Sequence, residues 1–137
     1  MLFRSRLERG ASDPSLRVVV DAEALRGALI ALLDNAADAN PGPGRIVVGV
    51  RADAEGGMAA IEVADDGPGM DEGVRARAFD PFFTTRAPYR VGLGLTTVFS
   101  FALRHRGRAD LASAPGAGAR VTIRLPLAPP AAPPSPR

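Results

Sequence analysis

Three small groups of residues in this chain carry chemistry that an ordinary core would not need. The first lies in "ALLDNAADAN", residues 31–40, where Asp34, Asn35 and Asp38 interrupt a run that otherwise has the composition of a buried helix. At about 100° per residue, Leu25, Leu29, Leu32 and Ala36 fall on one stripe, the expected core face. Asn35 and Asp38 fall on the adjacent stripe with Ala28 and Ala31, while Asp34 points roughly away from the core. An amide at the edge of a core costs stability unless it has a partner. The small alanines beside it leave room for one, which fits a pocket. The same pattern also fits a solvated flank near a helix end.

The second group is "DDGPGM", residues 65–70. Side chains alternate along the preceding "MAAIEVAD", so Ile61, Val63 and Asp65 share the core face and Asp66 points the other way. A buried carboxylate needs donors. The exocyclic amine of a base is one source, and the backbone of its own turn is another. Gly67 and Gly69 allow unusual φ values and close approach of a ligand to the backbone. The third group is "VGLGLTTV", residues 91–98, where Gly92 and Gly94 open a helix. A helix N-terminus presents free N–H groups and a partial positive charge, a natural seat for phosphate. Arg86 and Arg90 stand just upstream, able to neutralise a polyphosphate. A lone Gly-x-Gly is weak evidence. The three groups together describe one nucleotide site: a carboxylate for the base, a glycine-opened helix for phosphates, and the Asn35 oxygen for a Mg²⁺ bridging them. Mg²⁺ suits such a site because it takes few protein ligands beside waters and phosphate oxygens.

These residues need a scaffold, and the hydrophobic pattern predicts one. "LFRSRLE" reads as a short edge strand, "GASDPS" as a turn and "LRVVV" as a second short strand. Asp21 offers an N-cap for a helix that runs to about Ala39, where "NPGPG" stops it. "RIVVGVR" and "MAAIEVAD" are strands joined by "AEGG", and "VRARAFDPFF" is a short helix and its exit. A second long helix runs from Leu93 to about Arg106, with Leu95, Val98, Phe99 and Ala102 on one face. "RADLAS" and "ARVTIRLP" are strands around the turn "APGAG", the latter with Val121, Ile123 and Leu125 inward and Arg120, Thr122 and Arg124 outward. Strands joined by short turns and mixed with helices predict an α+β two-layer sandwich, helices on one face of a mostly antiparallel sheet. The final "PLAPPAAPPSPR" is a Pro-rich tail expected to be disordered, so the domain is expected over residues 1–127 and the tail over 128–137.

Bulk properties narrow the function classes. With 137 residues the chain suits one domain with a single core. It has no cysteine, which excludes disulfides and thiolate metal sites. The pI of about 10.3 suggests nucleic acid, but the net charge is only +2 and every basic residue is a scattered Arg, so nucleic-acid binding is not expected. No apolar run approaches the roughly 18 residues that cross a bilayer. "MLFRSRLERG" lacks the apolar stretch of a signal peptide, and a cytoplasmic location is expected.

The order of these motifs resembles the GHKL, or Bergerat-fold, ATP-binding family, and in particular the catalytic domain of sensor histidine kinases. "LLDNAADA" resembles its N box and "VADDGPGM" its G1 box, with Asp65 as the adenine-binding Asp. "AFDPFFTTR" resembles the F box of nitrogen-regulation-type kinases, and "VGLGLTTVFSFALRHRG" the G2 box and its helix. "VVVDAEALRGAL" and "SAPGAGARVTIRLP" fit on either side, so the resemblance covers about residues 2–127. It implies a Bergerat sandwich with about three helices and a lid over about Thr84 to Val91. It implies Mg-ATP contacts at Asn35, Asp38, Asp65, Gly67, Gly69, Met70, Phe82, Thr84, Thr85, Arg86, Arg90, Gly92, Gly94 and Leu95, with Asn35 as the Mg²⁺ ligand. It implies donation of the γ-phosphoryl group to a histidine on a separate dimerisation and phosphoacceptor domain, in the parent chain or in trans, with a response regulator downstream.

Four positions depart from the family pattern. Ala31 replaces the Asn or Glu four residues before Asn35, and Asp38 stands where many kinases carry a basic residue. Arg90 replaces the usual first Gly of the G2 box, and Ala119 the Thr after the final Gly-x-Gly. A missing Glu at position 31 removes the usual base for activating water or a serine hydroxyl. Imidazole already has a free lone pair, so histidine phosphorylation is affected less. The alternative reading is a degenerate regulatory module that binds nucleotide weakly or not at all and acts through protein contacts. The single histidine, His105, closes the second long helix and is not expected to be a phosphoacceptor, so the acceptor hairpin is expected outside this chain.

Overall fold

In a computed structural model of the protein, residues 6–39, 44–53, 57–67, 94–113 and 115–128 are described. They form β1 (Arg6–Arg9), α1 (Ala22–Ala39), β2 (Arg45–Asp53), β3 (Met58–Asp65), α2 (Gly94–Arg104), β4 (Arg108–Ser113) and β5 (Ala119–Pro126). The strands make one five-stranded sheet in the order β1-β2-β3-β5-β4. Only the β1–β2 pair is parallel. Both helices pack on one face, giving the expected α+β two-layer sandwich. The segment read as a third helix, 74–83, lies outside the described residues.

Alternation in the strands decides which face the helices cover. Ile61 pairs with Val50 on one side and Ile123 on the other, and Val63 with Val48 and Val121. These residues meet Leu32, Leu95, Val98 and Phe101 from the helices. Removing one such side chain from water contributes about 1.5–3 kcal/mol. The opposite face carries arginines and carboxylates in paired rows. Arg51 reaches Glu62 at 2.8 Å, and Arg124 Nε reaches Asp53 at 2.9 Å while its guanidinium also meets Asp110. Thr122 lies on this outward face as expected, yet it is only 6% exposed. Its neighbours in register are Glu62 and Asp110, and Arg120 and Arg124 stand two residues away on the same face.

Helix α1 begins where expected, with the Asp21 carboxylate accepting from the N–H groups of Glu23 and Ala24. Its buried stripe is rotated from the expected one. Ala28, Leu32 and Ala36 are at most 5% exposed, whereas Leu25 and Leu29 are half-buried at the margin. Small side chains at 28 and 36 let the helix backbone come close to its neighbours, which puts them at the centre of the contact. Asp34 is half-buried rather than exposed. The expected strand "LRVVV" is a single antiparallel bridge, Val18 with Leu127, and Val19 is 80% exposed. Among the described residues, the segment between the turn at Asp13 and the cap at Asp21 pairs through that bridge and an N–H donated by Ala128 to the Arg17 carbonyl.

Helix α2 closes with two reinforcing devices. The Gly107 N–H bonds the Ala102 carbonyl at 2.8 Å and the Arg106 N–H the Leu103 carbonyl at 3.2 Å, a Schellman closure. The residue in the left-handed conformation is Arg106, at φ 63°. The His105 ring stacks near Phe101, its Nδ1 2.9 Å from the Phe101 carbonyl, and its Nε2 accepts the Asp21 N–H at 3.2 Å. A backbone N–H can only donate, so Nε2 is unprotonated and Nδ1 carries the hydrogen. This bond ties the start of α1 to the end of α2.

A non-glycine residue in the left-handed region costs about 1–2 kcal/mol. Arg106→Gly is therefore expected to raise the melting temperature by a few degrees, since some of that gain is lost to glycine's greater freedom when unfolded. An unchanged or lower melting temperature would mean that the Arg106 side chain makes a compensating contact.

Candidate functional site

The Asp21–His105 bond shows which ends of the elements meet. It places the α1 N-terminus beside the α2 C-terminus. From there the chain passes through Gly107 into β4, whose first residue pairs with Arg124 near the end of β5. The other ends, the last turns of α1 and the first turn of α2, therefore lie toward Asp65, Ala119 and Ser113. At 1.5 Å per residue, Asn35 is roughly 21 Å along α1 from Asp21 and Leu95 is roughly 15 Å along α2 from His105. From Arg124 to Ala119 β5 spans roughly 16 Å. Asn35, Asp65 and the opening of α2 thus share one end of the sandwich, although they come from three separate stretches of chain.

Asp65 is the best-defined group there. It ends β3, pairs in register with Ile46 and Ala119, and is half-buried on the helix-covered side. Its Oδ1 accepts the Gly67 N–H at 2.9 Å, and the Ala119 N–H also donates to it. Burial raises its carboxyl above the ordinary Asp value, opposed by those two backbone donors, with the Asp66 charge adding to the rise. Among the described residues these two donors do not exhaust a carboxylate, which has about four acceptor positions. The remaining positions suit an amine. Asp66 faces the other way, as expected, and its Oδ1 accepts the Arg45 N–H at 2.9 Å, closing the end of the β2–β3 ladder.

Asn35 is half-buried near the end of α1, with Ala31 one turn behind it, also half-buried. Asp38 is in the last turn of the same helix. Gly67 is buried and its N–H serves Asp65. Gly94 is the first residue of α2. Leu95 is 5% exposed and packs in the hydrophobic core. Gly69, Met70, Phe82, Thr84, Thr85, Arg86, Arg90 and Gly92 lie outside the described residues. Among the described residues no group of three or more His, Cys, Asp or Glu side chains could hold a metal. A cation here would rest on Asn35 and on oxygens brought by a ligand. A cavity of about 240 Å³ lined by Val47, Gly49, Arg51, Glu62 and Arg120 opens on the opposite face of the sheet, away from this end's chemistry.

Two residues of this end were not among those singled out from the sequence. Gly118 is buried at φ 72°, and its carbonyl accepts the Ser113 hydroxyl at 2.7 Å. The signal in the sequence is the Gly-x-Gly of "APGAG", a turn and the family's final Gly-x-Gly, but the contact of Gly118 with Asp65 depends on the β3–β5 pairing.

The raised carboxyl of Asp65 has a consequence for stability. A carboxyl held above its unfolded value favours the fold while protonated, and that contribution is lost as pH rises through the folded value. Asp65→Asn, which keeps an oxygen for the Gly67 and Ala119 donors, is expected to make the ligand-free protein more stable than wild type at pH 7. The advantage should shrink as pH falls toward the ordinary carboxylate range. Denaturant titrations at several pH values check this, and a variant less stable at pH 7 would contradict it.

Comparison with known proteins fits this architecture. The family profile described as histidine kinase-, DNA gyrase B- and HSP90-like ATPase matches residues 20–129. The sensor histidine kinase ZraS of Klebsiella oxytoca is 38% identical over 117 residues, covering 85% of this chain and 25% of that protein. The sensor histidine kinase component HK1 of Mycobacterium tuberculosis is 36% identical over 118 residues, covering 84% of this chain and 68% of its own length. The chain spans about a quarter of the length of relatives such as ZraS. Among solved structures, the mycobacterial sensor histidine kinase MprB superposes with a TM-score of 0.75 at 33% identity, covering 92% of this chain and 84% of that one. Full-length ShkA, solved in complex with AMPPNP, gives 0.79 at 29% identity, covering 93% and 27%. With sequence, fold and motif order in agreement, the chain belongs to the histidine kinase-, DNA gyrase B- and HSP90-like ATPase family, and its relatives are sensor histidine kinases.

Proposed function

We propose that the chain binds Mg-ATP at the Asp65 end of the sandwich and donates the γ-phosphoryl group to a histidine on a separate dimerisation and phosphoacceptor domain. That domain belongs either to a longer parent chain or to a partner in trans, and a response regulator of a two-component system receives the group next. The observation that carries the reading is the half-buried Asp65 carboxylate, held by two backbone N–H groups with acceptor capacity left for an adenine amine. Its raised carboxyl fits a group that gains a donor on binding. The similarity to kinases, one of them solved with an ATP analogue, supports the choice of nucleotide.

In this reading each residue has a limited task. Asp65 accepts from the 6-amino group and fixes the base. The first turn of α2 offers free N–H groups and the positive end of its dipole to phosphate oxygens. Arg86 and Arg90 neutralise polyphosphate charge. Asn35 would hold Mg²⁺ through its side-chain oxygen, and the cation would supply charge neutralisation to the polyphosphate. Bound Mg-ATP supplies the phosphoryl group. The acceptor imidazole attacks through a neutral ring nitrogen, so positioning and charge neutralisation matter more than a protein base. The methyl of Ala31 behind Asn35 disfavours the water-activating and serine-phosphorylating branches. Among the described residues no helix is long and apolar enough to cross a membrane, and a cytoplasmic setting suits the proposed chemistry.

Ala31 and Ala119 favour a second reading in one respect. Both place a methyl where the family resemblance expects a polar side chain, which suits a module that binds nucleotide weakly and acts through protein contacts.

Thermal unfolding with ATP, with and without Mg²⁺, separates the two. Ligand at 100 times its Kd stabilises by about 2.7 kcal/mol, a shift on the order of ten degrees. Mg²⁺ alone should give no shift. No shift at millimolar Mg-ATP favours the regulatory module. Asn35→Ala should remove the Mg²⁺ dependence of nucleotide binding, and retained dependence would exclude Asn35 as the ligand. Asp65→Asn should weaken ATP by about tenfold, the loss of one charge-assisted hydrogen bond. Phosphotransfer to an added histidine-hairpin domain then tests the kinase reading directly.

A further inference from the structure

The turn between β4 and β5 touches the Asp65 end of β3 more closely than any side chain could. Gly118 is buried, at φ 72°, and lies directly against the peptide joining Asp65 to Asp66. A Cβ at position 118 would sit 2.0 Å from the Asp65 carbonyl oxygen and 3.2 Å from the Asp66 Cα. Both contacts are with backbone, so neither can be relieved by rotating a side chain. Strand β3 would have to move away from β5 at the residue whose carboxylate points into the site. Ser113 closes the turn by donating its hydroxyl to the Gly118 carbonyl at 2.7 Å. The next residue, Ala119, pairs with Asp65 in the sheet and directs its N–H to the carboxylate.

Gly116, two residues earlier in the same turn, supplies an internal contrast. It also has positive φ, at 76°, yet a Cβ there would meet nothing within 4 Å. The turn therefore needs one glycine for backbone conformation alone and a second for conformation and for contact with Asp65.

We infer that Gly118 is a positioning residue: by allowing the β4–β5 turn to seat against the end of β3, it sets where the Asp65 carboxylate stands and so the preference of the site for a 6-amino purine. The inference rests on the proposed role of Asp65 toward the base. Gly118 itself touches no ligand. Ser113 and the Ala119 N–H hold the turn and the carboxylate together once Gly118 lets them meet.

The test compares affinities for ATP and for inosine triphosphate, which carries an oxo group in place of the 6-amino group, both with Mg²⁺. It uses the full chain as wild type, Gly116→Ala, Gly118→Ala and Ser113→Ala. Wild type is expected to prefer ATP. Gly116→Ala carries the same backbone strain and should lower the melting temperature while keeping that preference. Gly118→Ala should lose about tenfold in ATP affinity with inosine triphosphate nearly unchanged, erasing the preference. Ser113→Ala, which keeps the glycine, should reduce the preference by about two- to threefold through a loosened turn. If Gly118→Ala does not fold, Ser113→Ala decides, and an unchanged preference in it overturns the inference. Equal loss of both nucleotides in Gly118→Ala also overturns it, since that marks general damage. A wild type that binds both nucleotides equally fails at the earlier step, the role of Asp65. A wild type that prefers ATP beside a Gly118→Ala variant that keeps the preference fails only here.

Discussion

A carboxylate half removed from water must be surrounded by donors, and one end of this molecule is organised around that requirement. Asp65 takes one N–H from Gly67 in its own turn and another from Ala119 across the sheet. Neither donor is a side chain, so neither can swing away. The arrangement holds the carboxyl still while leaving it raised above its ordinary value, because burial outweighs the two bonds. A carboxylate in that condition is costly to the ligand-free fold and receptive to a further donor. Under the proposed role of Asp65, stability and binding pull in opposite directions at this residue, a common state of affairs at functional sites.

The rest of the sandwich follows from bringing two helix ends to that carboxylate. The sheet face that packs the helices is purely aliphatic at its centre, with Ile61, Val63, Val121 and Ile123 meeting Leu32, Val98 and Phe101. Such a core fixes which face is covered but is poor at fixing direction, since apolar contact is non-directional. Direction comes from the chain's connections through the sheet, and the Asp21 N–H to His105 Nε2 bond marks where the start of α1 meets the end of α2. With the N-cap of α1 beside the histidine that closes α2, the opposite ends of both helices lie toward Asp65. The other sheet face contributes little to this geometry. Its arginine–carboxylate rows are mostly exposed, and exposed pairs contribute about 0–1 kcal/mol each.

Much of this was legible in the residues. The strand from Met58 to Asp65, the Asp21 cap and the helix ending at Ala39 fall where the alternation, the capping residue and the following proline predict. The assignment of Asp65 to the covered face and Asp66 to the open one also followed from period-two alternation alone. The helix stripe was less legible. Leu25 and Leu29 outweigh Ala28 on any hydrophobicity scale, yet Ala28 is fully buried, because a helix against a sheet and a second helix places its smallest residues at the closest approach. "LRVVV" has strong strand propensity but makes only one bridge, since β-propensity has effect only where a neighbouring edge is free to pair.

The sequence by itself determined the local conformations: where alternation, caps, prolines and glycines demand a strand, a helix or a turn. It also supplied the chemical inventory of the proposed site, because Asn35, Asp65 and the glycines at 67, 92 and 94 are given by residue type and order. Only the tertiary structure decided which of these meet. The contact of Gly118 with the Asp65 backbone spans 53 residues of chain and exists because β3 pairs with β5 rather than β4. The His105–Asp21 bond spans 84 residues and exists because the two helices share one face of the sheet. Local preferences act over a few residues and are written in them. Long-range contacts depend on the whole core's choice of strand order, which no short stretch contains.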